Sequence, residues 1–465
     1  MAHTQYDIVI VGGGPGGYTA AIRASQLGMK AALVERDRLG GVCLNWGCIP
    51  TKALLRNAEI YATLLHADEW GITAKDVSFD FPRIIKRSRG VAERISKGVE
   101  YLMKKNAITV HTGTARLTAA DTIEIRAEGK PTATITAPHI VLATGARPRS
   151  IPNVAIDRKR IITSTEAMTL PARPESMVII GGGAIGIEFA TFYNALGTKV
   201  TVVEMMPSIL PIEDAELTKL LATSLTRRGV ELLTGARVEG AQAGNTGVTV
   251  SVQQGGESRT LTADVALMAI GVQGNVEHLG LESLGVRVER GHIAVDTRYR
   301  TSTPGIYAIG DVIGPPWLAH VASAEGICCV EGIAGKEPHP VDYSCVPGCT
   351  YCSPQLASVG LTEESAKAEG YEVKIGRFPY RPLGKAMAIG ETEGMVKLVF
   401  DAKYGEILGA HILGADATEL IAELVLAKRM ELTGQDLFHT IHAHPTLSEA
   451  VMEAAAAAYG EAISI

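Results

Sequence analysis

The sequence predicts an α/β protein in which one parallel-sheet unit occurs twice, followed by a C-terminal domain of α+β character. Two observations predict it. A strand, a glycine-rich loop, a helix and a second strand ending in an acid occur at residues 6–35 and again at 177–204. Beyond residue 343 strands and helices continue, but no such loop recurs. A chain of 465 residues is too long for one core, and roughly two to four domains are expected. The expected ranges are 1–147, 148–272, 273–344 and 345–465. Glycine, 50 of 465 residues, exceeds an average of about 7%. The excess lies in loops after strands, where phosphates bind.

In the first copy an apolar strand at 6–11 runs into Gly12-Gly13-Gly14-Pro15-Gly16-Gly17. A helix to about residue 27 follows, then a strand at 31–34 ending in Glu35. Gly12, Gly14 and Gly17 let backbone approach a pyrophosphate at a helix N-terminus, and the acid takes a ribose hydroxyl. This is the signature of a Rossmann-like dinucleotide-binding domain.

The stretch around which the chain is organised comes next. Gly40 to Lys52 reads Gly-Gly-Val-Cys-Leu-Asn-Trp-Gly-Cys-Ile-Pro-Thr-Lys. Pro50 suits the first turn of a helix expected over 51–65. That places Cys48 near a helix N-terminus, where the dipole favours a thiolate, and Lys52 adds positive charge. Five residues of regular helix rise about 7.5 Å, beyond the separation of about 4.4–6.8 Å that a disulfide spans. Either Cys43 and Cys48 are unrelated thiols or the backbone at 45–47 folds up between them.

A long amphipathic helix is expected over 80–106, short strands over 107–136, and a strand over 139–143 stopped by Thr144-Gly145 that returns to the first sheet. The second copy is a strand at 177–180, Gly181-Gly182-Gly183-Ala184-Ile185-Gly186, a helix over 187–196 and a strand over 199–203 ending in Glu204. In both copies the first glycine precedes the acid by 23 residues. Two such folds imply two dinucleotides. Glu204 is followed by Met205, Met206 and Pro207, with no Lys or Arg. Its carboxylate accepts from a free 2′-OH and repels a 2′-phosphate, so the second nucleotide is expected to be NAD.

A helix over 214–228 and short strands over 231–267 follow, closing at Ala269-Ile270-Gly271. The strand ending in Gly310-Asp311 before a helix suits a carboxylate on a ribityl or ribose hydroxyl; the alternative for Asp311 is a plain N-cap. Beyond residue 343, strands are expected at 357–361, 372–379, 395–400 and 407–413, and helices at 362–370, 415–430 and 446–459. The alanine-rich face of the last helix, 454–458, is read as packing closely against another element, a partner subunit being the contact suggested. His442-Ala-His444-Pro445-Thr446-Leu-Ser-Glu449 offers His444 as general acid or base with Glu449 orienting it. Thr446 and Glu449 equally form a capping-box pair, and His442 is the other candidate base.

Charge and composition exclude some classes. A net charge of −6 with mixed signs argues against nucleic acid or an anionic membrane surface as partner. No apolar run reaches the length of about 20 residues that a membrane helix needs. The N-terminal residues lack the basic region of a signal peptide. A cytoplasmic location is expected, or the mitochondrial matrix for a processed eukaryotic chain. Seven sparse cysteines fit a reducing compartment, where a disulfide is catalytic rather than structural. Cys349 and Cys352 lack a second pair or histidine at metal-ligand spacing. They are read, with Cys345, Cys328 and Cys329, as inert thiols, and no metal is expected.

With both loops, the two-cysteine motif and the terminal His-Pro placed, the chain resembles the flavoprotein disulfide reductases over essentially its full length. Within them, Cys43-Leu-Asn-Trp-Gly-Cys48-Ile-Pro-Thr-Lys52 is similar to the lipoamide branch. The resemblance implies a Cys43–Cys48 redox disulfide that oxidises dihydrolipoamide, with Cys43 meeting substrate and Cys48 against the flavin in a thiolate charge-transfer pair. It implies FAD on Gly12, Gly14, Gly17, Glu35 and Asp311, and NAD on Gly181, Gly183, Gly186 and Glu204. Lys52 and Glu188 would flank the flavin. Thr144, Gly145, Gly271, Gly310, Leu318, Ala319 and His320 join the nucleotide contacts. His444, assisted by Glu449, would take the substrate proton from across a homodimer, making 345–465 a dimerisation domain. Partners would be the lipoyl domains of a 2-oxo-acid dehydrogenase, acetoin dehydrogenase or glycine cleavage complex. Val272 departs from the pattern, since many relatives carry arginine there. The alternatives are an NAD(P)H-dependent reductase of another disulfide or of a metal ion, and a flavoprotein serving as a structural subunit.

Overall fold

The computed structural model describes residues 4–464. The first three residues, which open the segment read as lacking a leader, and Ile465 lie outside the described residues. The described chain divides into two compact units. One comprises the chain up to Leu54 with Asp80–Arg149 and Gly271–Val341; the other comprises Leu55–Phe79, Ser150–Ile270 and the chain from Asp342 onward.

The first unit is built on a parallel sheet in the order Ile306–Ala308, His139–Leu142, Ile8–Val11, Ala31–Glu35, Thr109–Thr112. Its central strand, Ile-Val-Ile-Val, is buried along its whole length, as a parallel sheet covered on both faces requires. The strand before Thr144-Gly145 returns to this sheet beside Ile8–Val11. Helix Pro15–Gln26 starts on proline. It packs against helix Ala319–Ile333, where a Cβ on Gly326 would sit 2.7 Å from Gly16 O. Helix Phe81–Lys105 is capped by Asp80, which accepts from Arg83 N at 3.0 Å. A second, four-stranded sheet includes Thr114–Ala119, Thr122–Ala127 and Lys130–Thr136. Helix Ala319–Ile333 does not follow Asp311 directly. A single turn, Gly310–Ile313, and the proline pair Pro315-Pro316, which cannot sustain a helix, intervene.

The second unit repeats the topology: Ile161–Ile162, Val265–Met268, Ser176–Ile180, Lys199–Val203, Glu231–Leu233, all parallel. Its first helix is Ala184–Ala195, three residues earlier than expected, so Gly186 lies inside the helix. The C-terminal part is an antiparallel sheet in the order Gly348–Thr350, Gln355–Gly360, Ile407–Gly414, Met395–Asp401, Val373–Pro379. Helices Ala417–Arg429, Gly434–His439 and Glu449–Ala457 accompany it. The alanine face is not the partner contact expected of it. Ala450, Ala454 and Ala455 are fully buried in the chain's own core. A Cβ on Gly376 of the facing strand would lie 1.8 Å from Ala454 O. Small side chains on both elements allow that approach.

Lys397, whose side chain is 4% exposed, ties the antiparallel sheet to the helix Ala215–Arg227 of the parallel one. Its Nζ lies 2.8 Å from Asp214, 3.1 Å from Glu216 and 3.0 Å from Glu363. Asp214 also caps helix Ala215–Arg227, accepting from Glu216 N at 3.0 Å. Arg377 bonds both Glu216 and Glu363 at 2.8 Å. The hydrogen bond from Lys367, reinforced by Lys397 and Arg377, brings the Glu363 carboxyl down to about 2. Among the described residues no helix is long and apolar enough to cross a membrane.

Gly376→Ala must push helix Glu449–Ala457 off its sheet. The expected loss is about 1–3 kcal/mol, read as a lower thermal midpoint. Gly384→Ala, whose Cβ meets nothing within 4 Å, should stay within about 0.5 kcal/mol of the parent.

Candidate active site

Gly41–Trp46 forms a short helix that ends at Gly47 (φ −154°, ψ −112°), and helix Cys48–Leu65 begins at the next residue. The second helix thus starts two residues before Pro50, not after it. Thr51 closes its first turn, donating from N (3.1 Å) and Oγ1 (2.7 Å) to Gly47 O. The reversal at Gly47 brings Cys43 and Cys48 to a Cα separation of 4.7 Å, and they form a disulfide. Cys48 is the first residue of its helix, where a thiolate is favoured. Lys52, half-buried, follows one turn on.

The two glycine loops share one geometry. Gly12 and Gly181 both have φ +110°, and a Cβ on either would lie 2.1 Å or 2.4 Å from the carbonyl of Ala143 or Ala269. A Cβ on Gly17 would lie 1.8 Å from Gly12 O, and one on Gly186 2.0 Å from Gly181 O. Gly14 and Gly183 begin the two helices in extended conformation (φ −73° and −74°) without a capping side chain, so first-turn amides remain for an anion. Glu35 accepts from Gly13 N and Glu204 from Gly182 N, each at 2.6 Å. Their second oxygens accept from Asp37 N at 2.8 Å and Met206 N at 2.7 Å. Both acids therefore stand against the loop they were expected to serve.

Thr144 and Gly145 lie beside Asn275. Thr144 Oγ1 donates to Asn275 O at 2.8 Å, and Asn275 N donates to Gly145 O at 2.9 Å. Gly145 (φ +68°) and Gly271 (φ +103°) both have open space where a Cβ would stand. Val272 begins a short ribbon, Val272–Gly274, paired with Ala146–Pro148. Gly310 (φ +71°) donates its N–H to Glu325 Oε2 at 2.7 Å. Glu325, 3% exposed, was missed; its signal was an acid between Ala324 and Gly326 in a mostly apolar helix. Asp311 lies within the turn, whose N-cap is Ile309, so the cap alternative fails. Burial pushes its carboxyl up to about 6, with no opposing hydrogen bond. Leu318 caps helix Ala319–Ile333, whose first two residues are Ala319 and the exposed His320.

These features fit a dinucleotide at each loop. The glycines hold a cradle that any Cβ would fill, and Asp311 is a half-buried carboxylate suited to accept from a hydroxyl.

In the second unit Glu188, 6% exposed, accepts from Tyr351 N at 3.0 Å. Two His–Glu pairs lie near the C-terminus. His444 Nδ1 meets Glu449 Oε1 at 2.8 Å, and Glu449 Oε2 accepts from Thr446 N at 2.8 Å. One carboxylate thereby serves both expected roles, though the reciprocal half of the capping box is absent. The helix starts at Glu449 behind Ser448, and Thr446 Oγ1 donates to Ala443 O instead. Burial raises the Glu449 carboxyl, but its bonds from Thr446 and His444 prevail and hold it below the usual range. His442 has both nitrogens engaged, with Thr440 O at 2.9 Å and Glu423 at 2.8 Å, and its side chain is 5% exposed. The His444 side chain is 78% exposed. Geometry thus separates a structural histidine from one available for proton transfer.

Among the described residues no three His, Cys, Asp or Glu are arranged to hold a metal. Cys352 is buried and donates to Pro354 O at 3.0 Å. Cys328 and Cys329 are buried, and burial pushes both thiols up. Cys345 and Cys349 are partly exposed and lie outside the disulfide.

Two cradles of one design and a disulfide set across a helix break define a two-nucleotide disulfide oxidoreductase. The chain belongs to the pyridine nucleotide-disulphide oxidoreductase family: residues 6–326 match that family's model and 346–455 match its dimerisation domain. It is 49% identical to the dihydrolipoyl dehydrogenase of Rhizobium etli, covering 99% of each chain, and 46% identical to that of Bacillus subtilis, again covering 99% of each. Among solved structures it resembles LpdA of Mycobacterium tuberculosis, with a TM-score of 0.90 and 30% identity over 97% of this chain and 99% of that one. It also resembles the HOCl-induced flavoprotein disulfide reductase RclA of Escherichia coli, with a TM-score of 0.86 and 28% identity over 97% and 99%.

In protein stripped of nucleotide, ionising the half-buried Asp311 costs stability. Its pKa is raised from 3.8 to about 6, so the cost appears as pH climbs past 3.8 and is complete above about 6. Asp311→Asn should stabilise the stripped protein by up to about 3 kcal/mol at pH 7 and not at all near pH 3. Denaturant midpoints at the two pH values check this.

Proposed function

We propose that this chain oxidises protein-bound dihydrolipoamide to lipoamide through the Cys43–Cys48 disulfide and FAD, and passes a hydride to NAD⁺. The observation that carries the reading is the disulfide across the Gly47 break, with Cys48 opening a helix. The full-length relatives named dihydrolipoyl dehydrogenase support the substrate.

In this reading a substrate thiolate attacks Cys43, opening the disulfide and releasing Cys48 as a thiolate. The second substrate thiol displaces Cys43 from the mixed disulfide. Lipoamide leaves, and two electrons remain on the enzyme dithiol. His444, oriented by Glu449 on Nδ1, takes the substrate proton on Nε2. The helix N-terminus and Lys52 stabilise the Cys48 thiolate. Bound FAD would supply the two-electron chemistry that links the dithiol to NAD⁺. Gly12, Gly14, Gly17, Glu35 and Asp311 would hold FAD, with Lys52 beside the disulfide that meets it. Gly181, Gly183, Gly186 and Glu204 hold NAD⁺, and Glu204 rejects a 2′-phosphate. Thr144, Gly145, Gly271, Gly310, Leu318, Ala319 and His320 line the two nucleotides.

The proposed functional partition uses the ranges expected from the sequence. Residues 1–147 bind FAD, completed by 273–344; residues 148–272 bind NAD⁺; and 345–465 form the contact of a homodimer in which His444 serves the disulfide of the other subunit. The partners are lipoyl domains of a 2-oxo-acid dehydrogenase, acetoin dehydrogenase or glycine cleavage complex, and the setting is the cytoplasm.

Anaerobic mixing with dihydrolipoamide and then NAD⁺ tests this. NADH should appear, and NADP⁺ should replace NAD⁺ poorly. Cys48→Ser should abolish turnover with FAD retained, and His444→Gln should lower it about 10²–10⁴-fold. No response to dihydrolipoamide, with flavin reduction by NADH, would instead mark a reductase of another acceptor.

A further inference from the structure

Helix Phe81–Lys105 grips both sides of the disulfide. On the Cys43 side, Arg89 Nη1 donates to Asn45 O at 2.5 Å, near the C-terminal end of helix Gly41–Trp46. Its guanidinium lies 4.3 Å from the centre of the Trp46 ring. Trp46 is held in turn by its indole N–H, 3.3 Å from Asp37 Oδ2. On the Cys48 side, the fully buried Ser88 donates to Pro50 O at 2.8 Å, and Arg87 donates to Ala53 O at 3.3 Å. Three consecutive residues of one helix thus bond the backbones of two short segments that Gly47 alone would join loosely.

Arg89 is held there against opposition. Burial weakens its hold on the proton, and Arg38 repels it. The Trp46 face and the carbonyl near a helix C-terminus offset this, since both favour a cation. Within the link itself, Asn45 Nδ2 donates to Leu39 O and Gly41 O at 3.0 Å, and Thr51 bonds Gly47 O.

We propose that Arg89, with Trp46 and Ser88, is a positioning clamp that keeps the Cys43 and Cys48 backbones at bonding distance when the disulfide is open, and so favours its re-formation. The inference rests on the redox reading of this pair and adds residues that do not touch the sulfurs' chemistry themselves. A ring whose ends are held together closes more readily, because less freedom is lost on closure. With the clamp removed, the dithiol state gains freedom and the exchange equilibrium moves toward it.

The exchange is balanced: a dithiol reagent gives two electrons and two protons to the enzyme disulfide, which becomes the dithiol while the reagent becomes a cyclic disulfide. The test equilibrates the FAD-loaded enzyme anaerobically with reduced and oxidised dithiothreitol at several ratios. Thiols are then trapped by alkylation, and the peptides carrying Cys43 and Cys48 are weighed. Arg89→Leu and Trp46→Val should each move the constant about tenfold toward dithiol, equivalent to about 30 mV for a two-electron couple. Arg89→Lys, which keeps the charge but not the flat face, should fall between Arg89→Leu and the parent. Because the Trp46 face acts by holding the Arg89 guanidinium, the double variant should move the constant no further than Arg89→Leu alone. Retained FAD and an unchanged thermal midpoint of the oxidised form separate positioning from general loosening. Constants within twofold of the parent for Arg89→Leu and Trp46→Val overturn the proposal. Should Arg89→Leu fail to fold, Trp46→Val and Ser88→Ala decide it by the same limit. If the parent itself does not exchange, the redox reading of the cysteines fails instead.

Discussion

Both nucleotide cradles depend on one constraint: two backbones pass closer than a Cβ permits. At Gly12 and Gly181 the neighbouring strand's carbonyl occupies the space a side chain would need, and at Gly17 and Gly186 the carbonyl of the first glycine does so. These approaches pull the helix N-terminus down onto the sheet. The acid of the next strand can then reach back to the middle of the loop, and it does so at the same 2.6 Å in both copies. The sheets, buried on both faces, are the rigid floor on which this rests.

The disulfide obeys the opposite logic. There the chain does not close-pack but breaks, and Gly47 turns what could have been one continuous helix into two. A separation of five residues becomes a Cα distance of 4.7 Å. Cys48 gains a helix N-terminus from the break, while Cys43 sits in the preceding helix. Placement of the two sulfurs is thus a property of backbone, and the contacts that hold that backbone come from a helix distant in sequence.

The difference decides how much of each site was legible in the sequence. Glycine patterns write backbone shape directly, so both cradles, Glu35, Glu204 and the two parallel sheets could be read. The need for a fold-up between Cys43 and Cys48 was also readable, because rise per residue is fixed. Helix Gly41–Trp46, six residues long, was not legible: it is too short for its hydrophobic period to register. Helices Gly384–Ala388 and Gly434–His439 escaped for the same reason. The alanine run told of a tight contact but not with what, since Gly376 offers no pattern of its own. His442 and His444 were equivalent in residue pattern, and the resemblance alone favoured His444; the burial of His442 and its bond to Glu423 give a physical reason to separate them. The contacts of Arg89 and of Lys397 join residues 44 and 183 positions apart, a range over which periodicity carries no information.

The Lys397 cluster bears on how this protein could have been assembled. The second cradle has the look of a portable module, with its own sheet, loop and acid. Yet Asp214 and Glu216, at the head of a helix on that sheet, take their cation from a strand nearly two hundred residues later. An excised nucleotide module ending before the C-terminal sheet would carry carboxylates shaped for a lysine it no longer possesses. Duplication can copy a cradle, but here the second copy has grown interdependent with a neighbour further along the chain. Shuffling this module into another protein would require bringing the C-terminal sheet along or rewriting the acids at its edge.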